Sequence, residues 1–117
     1  MTDAKRKEGI EGEERAVKML KAEGYRILER NYRSPFGEID IIAEEGGYIV
    51  FVEVKKRNSL RFGEPLHSID EIKKRHIIRS AQFYLKENKG FNKRARFDVV
   101  GISSGGVKIV KNAFAVE

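Results

Sequence analysis

The chain has 117 residues, of which 40% are hydrophobic and 36% charged, enough for one domain with a modest core and a heavily charged surface. Its 24 Lys and Arg against 18 Asp and Glu leave a net charge of +6, which favours a polyanionic partner such as nucleic acid, with a solubilising surface charge as the alternative. No cysteine and only His67 and His76 exclude disulfides, thiolate zinc sites and histidine-rich metal sites.

Any metal would therefore be a hard cation on oxygen ligands, Mg²⁺ or Mn²⁺. Residues 1–9 carry no apolar signal core, and no apolar run reaches membrane-spanning length. The expectation is one domain over 1–117, cytoplasmic, with no membrane partner.

Residues 4–23 read as a helix, because Ile10, Val17 and Leu20 recur at helical spacing and Gly24 is a natural stop. Glu13 falls on the same stripe, where a carboxylate needs a partner. Residues 26–32 suggest a first strand, 34–37 a turn, 38–44 a second strand and 48–55 a third, the last two joined by Gly46-Gly47. A basic loop over 56–67 follows. Ser68 with Glu71 resembles a capping box opening a helix that runs to about Asn88, ended by Lys89-Gly90. In that helix Ile77, Ala81, Tyr84 and Leu85 form one apolar edge, and Ile72, His76 and Phe83 another. Two further strands, 96–102 and 107–110, complete the order α-β-β-β-α-β-β, most economically one sheet flanked by helices.

Strand alternation puts Glu38, Asp40 and Ile42 on one face of the second strand and Ile39, Ile41 and Ala43 on the other. On the third strand Ile49, Phe51, Glu53 and Lys55 share a face, opposite Tyr48, Val50, Val52 and Val54. A hairpin centred on Gly46-Gly47 pairs residue 44 with 49 and 42 with 51, so that Asp40 stands opposite Glu53 with Lys55 beside them. Two opposed carboxylates repel unless a cation lies between them. Mg²⁺ takes one or two carboxylates and leaves positions for substrate phosphate, with the Val54 carbonyl as an additional ligand. Lys55 is placed to orient or deprotonate an attacking water, or to stabilise negative charge in the transition state. Glu13 either closes that metal shell from the helix side, directly or through water, or pairs with Arg30 or Arg33. The plain alternative for the whole pattern is a ladder of solvated ion pairs.

These residues resemble the metal-dependent nuclease superfamily marked by P-D, a variable gap and D/E-x-K, here Ile39-Asp40 and Glu53-Val54-Lys55, with isoleucine in place of the proline. The whole chain resembles the YraN family of small endonuclease-like proteins. The likeness lies in Gly12-Glu13, Asn31-Tyr32-Arg33, G-E-I-D-I-I-A at 37–43, F-V-E-V-K-K-R at 51–57, Lys73, 81–85 and R-F-D-V-V at 96–100. It is also similar to archaeal Holliday-junction resolvases, in which a first-helix glutamate joins the strand acids. The resemblance implies an α/β, restriction-endonuclease-like core with a mixed central sheet. It implies Asp40 and Glu53 as metal ligands, Lys55 as catalytic lysine and Glu13 as the helix-borne acid, with Glu38 in the motif but without a fixed role. It also brings Lys73 toward the site, and the likeness to resolvases implies a homodimer.

For nucleic-acid contact the candidates are Lys56, Arg57, Arg61, Lys73, Lys74 and Arg33. Asp98 reads as a structural partner of Arg96. The expected function is a Mg²⁺-dependent endonuclease acting on DNA, including branched or structured DNA, with RNA as a further polyanion. The alternative is a nucleic-acid-binding module of the same fold without useful catalysis.

Overall fold

The computed structural model describes residues 3–56, 69–89, 92–103 and 105–115, with side chains from Glu11 onward. Helix α1 (Asp3–Ala22) leads into β1 (Arg26–Ser34), β2 (Gly37–Glu45) and β3 (Tyr48–Lys56); α2 (Glu71–Glu87) precedes β4 (Arg94–Ser103) and β5 (Gly106–Phe114). The strands form one sheet in the order β1-β2-β3-β4-β5. Neighbours are antiparallel except β3 and β4, which run parallel. That parallel pair needs a crossover connection, and α2 lies within it. The expected mixed α/β architecture and element order are thus observed. Among the described residues no helix is long and apolar enough to cross a membrane.

The helices cover opposite faces. Ala16, Val17 and Leu20 of α1 pack with Ile41, Ala43, Val50, Val52, Val100 and Ile102. Ile77, Ala81 and Tyr84 of α2 pack with Ile42, Ile49, Phe51, Phe97, Val99 and Phe114. β3 is therefore buried on both sides, and a residue such as Phe51 contributes about 2 kcal/mol through burial. β5 continues past Val110 to Phe114, whose ring stacks on Phe97 at 4.8 Å.

The second helix starts differently from the capping-box expectation. Asp70, with ψ 137°, is its N-cap, and the Asp70 carboxylate accepts from the amides of Ile72 and Lys73 at 2.8 and 3.4 Å. Ser68 lies outside the described residues. Ile77, Ala81 and Tyr84 are buried as the spacing requires; of the second edge Ile72 is 61% exposed and His76 is exposed, while Phe83 is half-buried against Phe36.

One carboxylate sits wholly inside. Asp98 is fully buried and accepts from Arg96 Nε and Nη2, both at 2.9 Å, from Tyr25 Oη at 2.6 Å and from the Asn112 amide at 2.9 Å. Asn112 takes φ 53° in making that contact. The Arg96 pairing is the one read from the sequence; Tyr25 and Asn112 come from distant elements. Removing one member of a buried pair strands the other. Asp98→Asn is expected to cost about 3 kcal/mol in a urea melt, and Tyr25→Phe about 1 kcal/mol; equal small losses would mean that the charge pairing is not what holds this corner.

Candidate functional site

The β2–β3 turn fixes the register. Gly46 and Gly47 have φ of 59° and 85°, the combination that joins strands through a two-residue turn. Glu44 pairs with Ile49, Ile42 with Phe51 and Ile41 with Val52, as expected from a hairpin centred there. The ladder stops at that rung. At the next position Asp40 Oδ2 accepts the backbone N–H of Val54 at 2.8 Å, so the side chain replaces a strand carbonyl. This places the Asp40 carboxylate beside Glu53, the residue before Val54.

The expected face alternation fails in β2. Ile41 and Ala43 belong to the α1-side core, but Ile39 joins the α2-side core. The cause lies across the ladder. Asn31, between Arg30 and Tyr32, takes φ 52°, and the ribbon turns over there. Arg30, paired with Ile41, reaches α1; Tyr32, paired with Ile39, packs edge-on to Tyr84 of α2. Asp40 sits at this crossover, which frees its side chain from the regular alternation.

Glu53 lies on the α2 side with its side chain only 7% exposed, and Lys73 Nζ of α2 stands 2.5 Å from its Oε1. Burial pushes the Asp40 carboxyl up to about 7, reinforced by the Glu53 charge and, more weakly, by Glu13; the Val54 amide and Lys73 pull the other way. Burial works against the Lys73 ammonium, but its hydrogen bond to Glu53 and the charges of Glu53 and Asp40 raise it overall. Two acids and a lysine thus share one partly closed spot. This is a small polar environment in which oxygen donors are available to a hard cation.

The remaining candidates are placed as follows. Lys55 is half-buried on β3, two residues past Glu53 and paired with Gly101 of β4. Glu13 is 18% exposed and stands 3.4 Å from Arg30 Nε, while Arg30 also holds Glu14 at 2.7 Å. Among the described residues no three acid, histidine or cysteine side chains are grouped so that they could hold a metal ion. Lys56 crosses Gly12 of α1, where an added Cβ would lie 2.8 Å from the Lys56 stem. Lys74 turns to Glu71 at 3.2 Å and lies over the Phe114 ring, away from the acids. Arg33 is 85% exposed, 3.9 Å from Glu38. Arg57 and Arg61 lie outside the described residues. The acidic partner of Lys73 had no signal in strand or helix spacing, because the α2 N-terminus is brought over β3 only by the crossover.

Comparison with known proteins bears on the same residues. The profile of the family described as Uncharacterised protein family UPF0102 matches residues 12–102. The chain belongs to the UPF0102 family. The resemblance to YraN-type proteins resolves to this family. Relatives include the UPF0102 protein of Persephonella marina, 51% identical over 109 residues that cover 93% of this chain and 94% of the relative. The UPF0102 protein of Caldicellulosiruptor saccharolyticus is 47% identical over 116 residues, with coverage of 94% and 98%. That of Moorella thermoacetica is 44% identical over 120 residues, covering 97% and 100%. The family match spans Glu13, Asp40, Glu53, Lys55 and Lys73 together, and it names no activity.

The raised Asp40 value makes the folded chain pH-sensitive. Below about pH 4 folded and unfolded chains both carry the Asp40 proton. Between there and about 7 only the folded chain keeps it, so stability falls as pH rises through that window, and above it the loss is complete. Asp40→Asn should therefore raise Tm at about pH 8 and leave it nearly unchanged at about pH 4. Melts that shift equally at both pH values would remove the electrostatic crowding from this site.

Proposed function

We propose that this chain is a Mg²⁺-dependent endonuclease that hydrolyses phosphodiester bonds of DNA. The observation that supports it best is the apposition of Asp40 and Glu53 at the point where the hairpin ladder ends, with Lys55 on the same strand as Glu53. Both acids are hard oxygen donors. Their shared position fits an ion that takes few protein ligands and keeps waters and substrate oxygens. The α/β architecture is compatible with a nuclease-like core, and the basic balance of the chain suits a phosphate backbone.

In this reading Asp40 and Glu53 hold Mg²⁺ or Mn²⁺, with the Val54 carbonyl beside them. The bound ion supplies Lewis-acid stabilisation of the phosphate oxygens. Lys55 orients the attacking water and balances charge developing on the phosphate. Glu13 acts at one remove, through water, because Arg30 holds it at the helix. Lys73, released from Glu53, contacts a substrate phosphate; Lys56, Arg57, Arg61 and Arg33 position the backbone around it. A homodimer would allow both strands of a branched substrate to be cut. RNA shares the backbone chemistry and belongs in the same assay.

A second reading has its own support. Lys73 on Glu53 and Arg30 on Glu13 already satisfy two of the acids without an ion. That balance suits a nucleic-acid-binding module that keeps the nuclease-like fold without useful catalysis.

Cleavage separates the readings. Linear, flapped and four-way-junction DNAs incubated with Mg²⁺ or Mn²⁺ should yield products that chelation abolishes. Glu53→Ala and Lys55→Ala should each lower the rate by on the order of 10²-fold or more. Binding that survives in both variants while no substrate is cut by any form supports the binding module instead.

The cation site can also be tested without turnover. Because Lys73 competes for Glu53, Lys73→Met should enlarge the rise in Tm that Mg²⁺ produces. An unchanged or smaller rise would mean that Mg²⁺ does not bind where Lys73 sits.

A further inference from the structure

We propose that Phe36 is a stacking platform for an unpaired nucleobase, so that the site selects nucleic acid with a single-stranded or unpaired position near the scissile phosphate. This rests on the nucleic-acid reading of the acid pair and specifies the substrate for it.

Phe36 lies in the β1–β2 turn and is 42% exposed, a large apolar side chain left in water. It is held rather than loose. The Phe36 amide donates to Ser34 Oγ at 3.0 Å, Ser34 Oγ also meets the Gly37 carbonyl at 3.2 Å, and the same oxygen lies 2.8 Å from the Oγ of fully buried Ser80 in α2. Gly37, at φ 146°, packs close to His76, where a Cβ would come within 3.5 Å. Phe83 of α2 braces the Phe36 ring edge-to-face, with centroids 6.2 Å apart and planes at 70°. A rigid exposed aromatic gives up little rotamer freedom when a flat partner stacks on it, and every base offers a π-face.

The surroundings suit a nucleotide more than an apolar protein segment. Arg33, 85% exposed, stands at the near rim, and Arg75, His76 and Arg79 of α2 face solvent. A cleft of about 600 Å³ adjoins the platform, lined by Tyr32, Arg33, Phe83 and Tyr84 among others. Glu29 and Glu87 also line it; they repel phosphate but accept hydrogen bonds from base amino groups. The lining thus offers Arg33 to a phosphate and aromatic and carboxylate groups to a base. Asp40 is four residues further along the chain, at most roughly 13 Å at about 3.3 Å per residue. A base stacked at Phe36 would lie within about four nucleotide steps of a phosphate at the acids, at 3.4 Å per stacked step.

The full chain, kept in chelator so that no DNA is cut, can be titrated into two DNAs of the same sequence, one a fully paired duplex and one a flap with 2-aminopurine in the unpaired arm. Stacking should change the 2-aminopurine fluorescence. Phe36→Ala should abolish that change and weaken flap binding on the order of tenfold, with duplex binding held within about twofold. Phe36→Trp should restore both, whereas Phe36→Leu should not. Melts of each variant check that the turn still folds. Equal losses on flap and duplex, no loss on either, or full rescue by leucine would overturn the platform while leaving the nucleic-acid reading standing. A wild-type dimer in sedimentation that Phe36→Ala dissociates would overturn it too, assigning the ring to a second copy of the chain. Binding to neither DNA would overturn the nucleic-acid reading itself, and the platform with it.

Discussion

β3 is the strand on which everything else is hung, because it is buried on both faces. α1-side residues cover Val50 and Val52, α2-side residues cover Ile49 and Phe51, and β2 and β4 occupy both hydrogen-bonding edges. A strand in that position is dictated to be apolar. Glu53 nevertheless follows directly on Val52 with a side chain almost wholly out of water. A buried carboxylate must find a cation or a proton. The geometry supplies the cation from α2, through Lys73, only because the parallel β3–β4 pair forces the chain across that face. The acid and its partner are thus both consequences of the same topology.

Two carboxylates on neighbouring rungs show two different solutions. Asp98 pairs with Val52 across the β3–β4 ladder, and Glu53 pairs with Val99. Asp98 is surrounded by donors: a bidentate arginine, a tyrosine hydroxyl and a backbone amide. Burial and the Asp98 charge in turn raise the Tyr25 phenol, keeping it a donor. Such saturation leaves nothing to bind and reads as a structural pin. Glu53 shares Lys73 with Asp40, and burial with the second negative charge pushes the Asp40 carboxyl upward. Unlike Asp98, these two acids stand together with part of their mutual repulsion uncompensated.

The hairpin was legible in the sequence because its determinants are local. Gly46-Gly47 prescribes the turn, and alternating apolar residues then fix which rungs meet. Asp98 with Arg96 was legible for a similar reason, being two residues apart on one strand. What escaped depends on distant backbone. The turnover that sends Ile39 to the α2 side is set by Asn31 on β1, and asparagine gives no sign from its neighbours that it will adopt φ 52°. The α2 cap is Asp70, two residues after the serine that the spacing favoured, since serine and aspartate are both good amide acceptors at a helix start and sequence alone does not rank them. Lys73 was singled out by resemblance and reaches Glu53 through tertiary packing, which no helical or strand period encodes.

The break in β2 also explains why the acids can coexist. Had the ladder continued, Asp40 would have stood as an ordinary cross-strand neighbour of Glu53, its backbone bonded to β3 and its charge opposed directly to another. The turnover instead releases the Asp40 side chain to accept the Val54 amide, which offsets part of the repulsion. That hydrogen bond holds one carboxylate oxygen of Asp40 in place against β3. A chain selected for stability alone would place an apolar residue at either position, since well-packed hydrophobic replacements of buried charges are commonly neutral or stabilising. The two acids therefore carry an electrostatic cost that an apolar pair would not, and the Val54 amide and Lys73 offset it only in part.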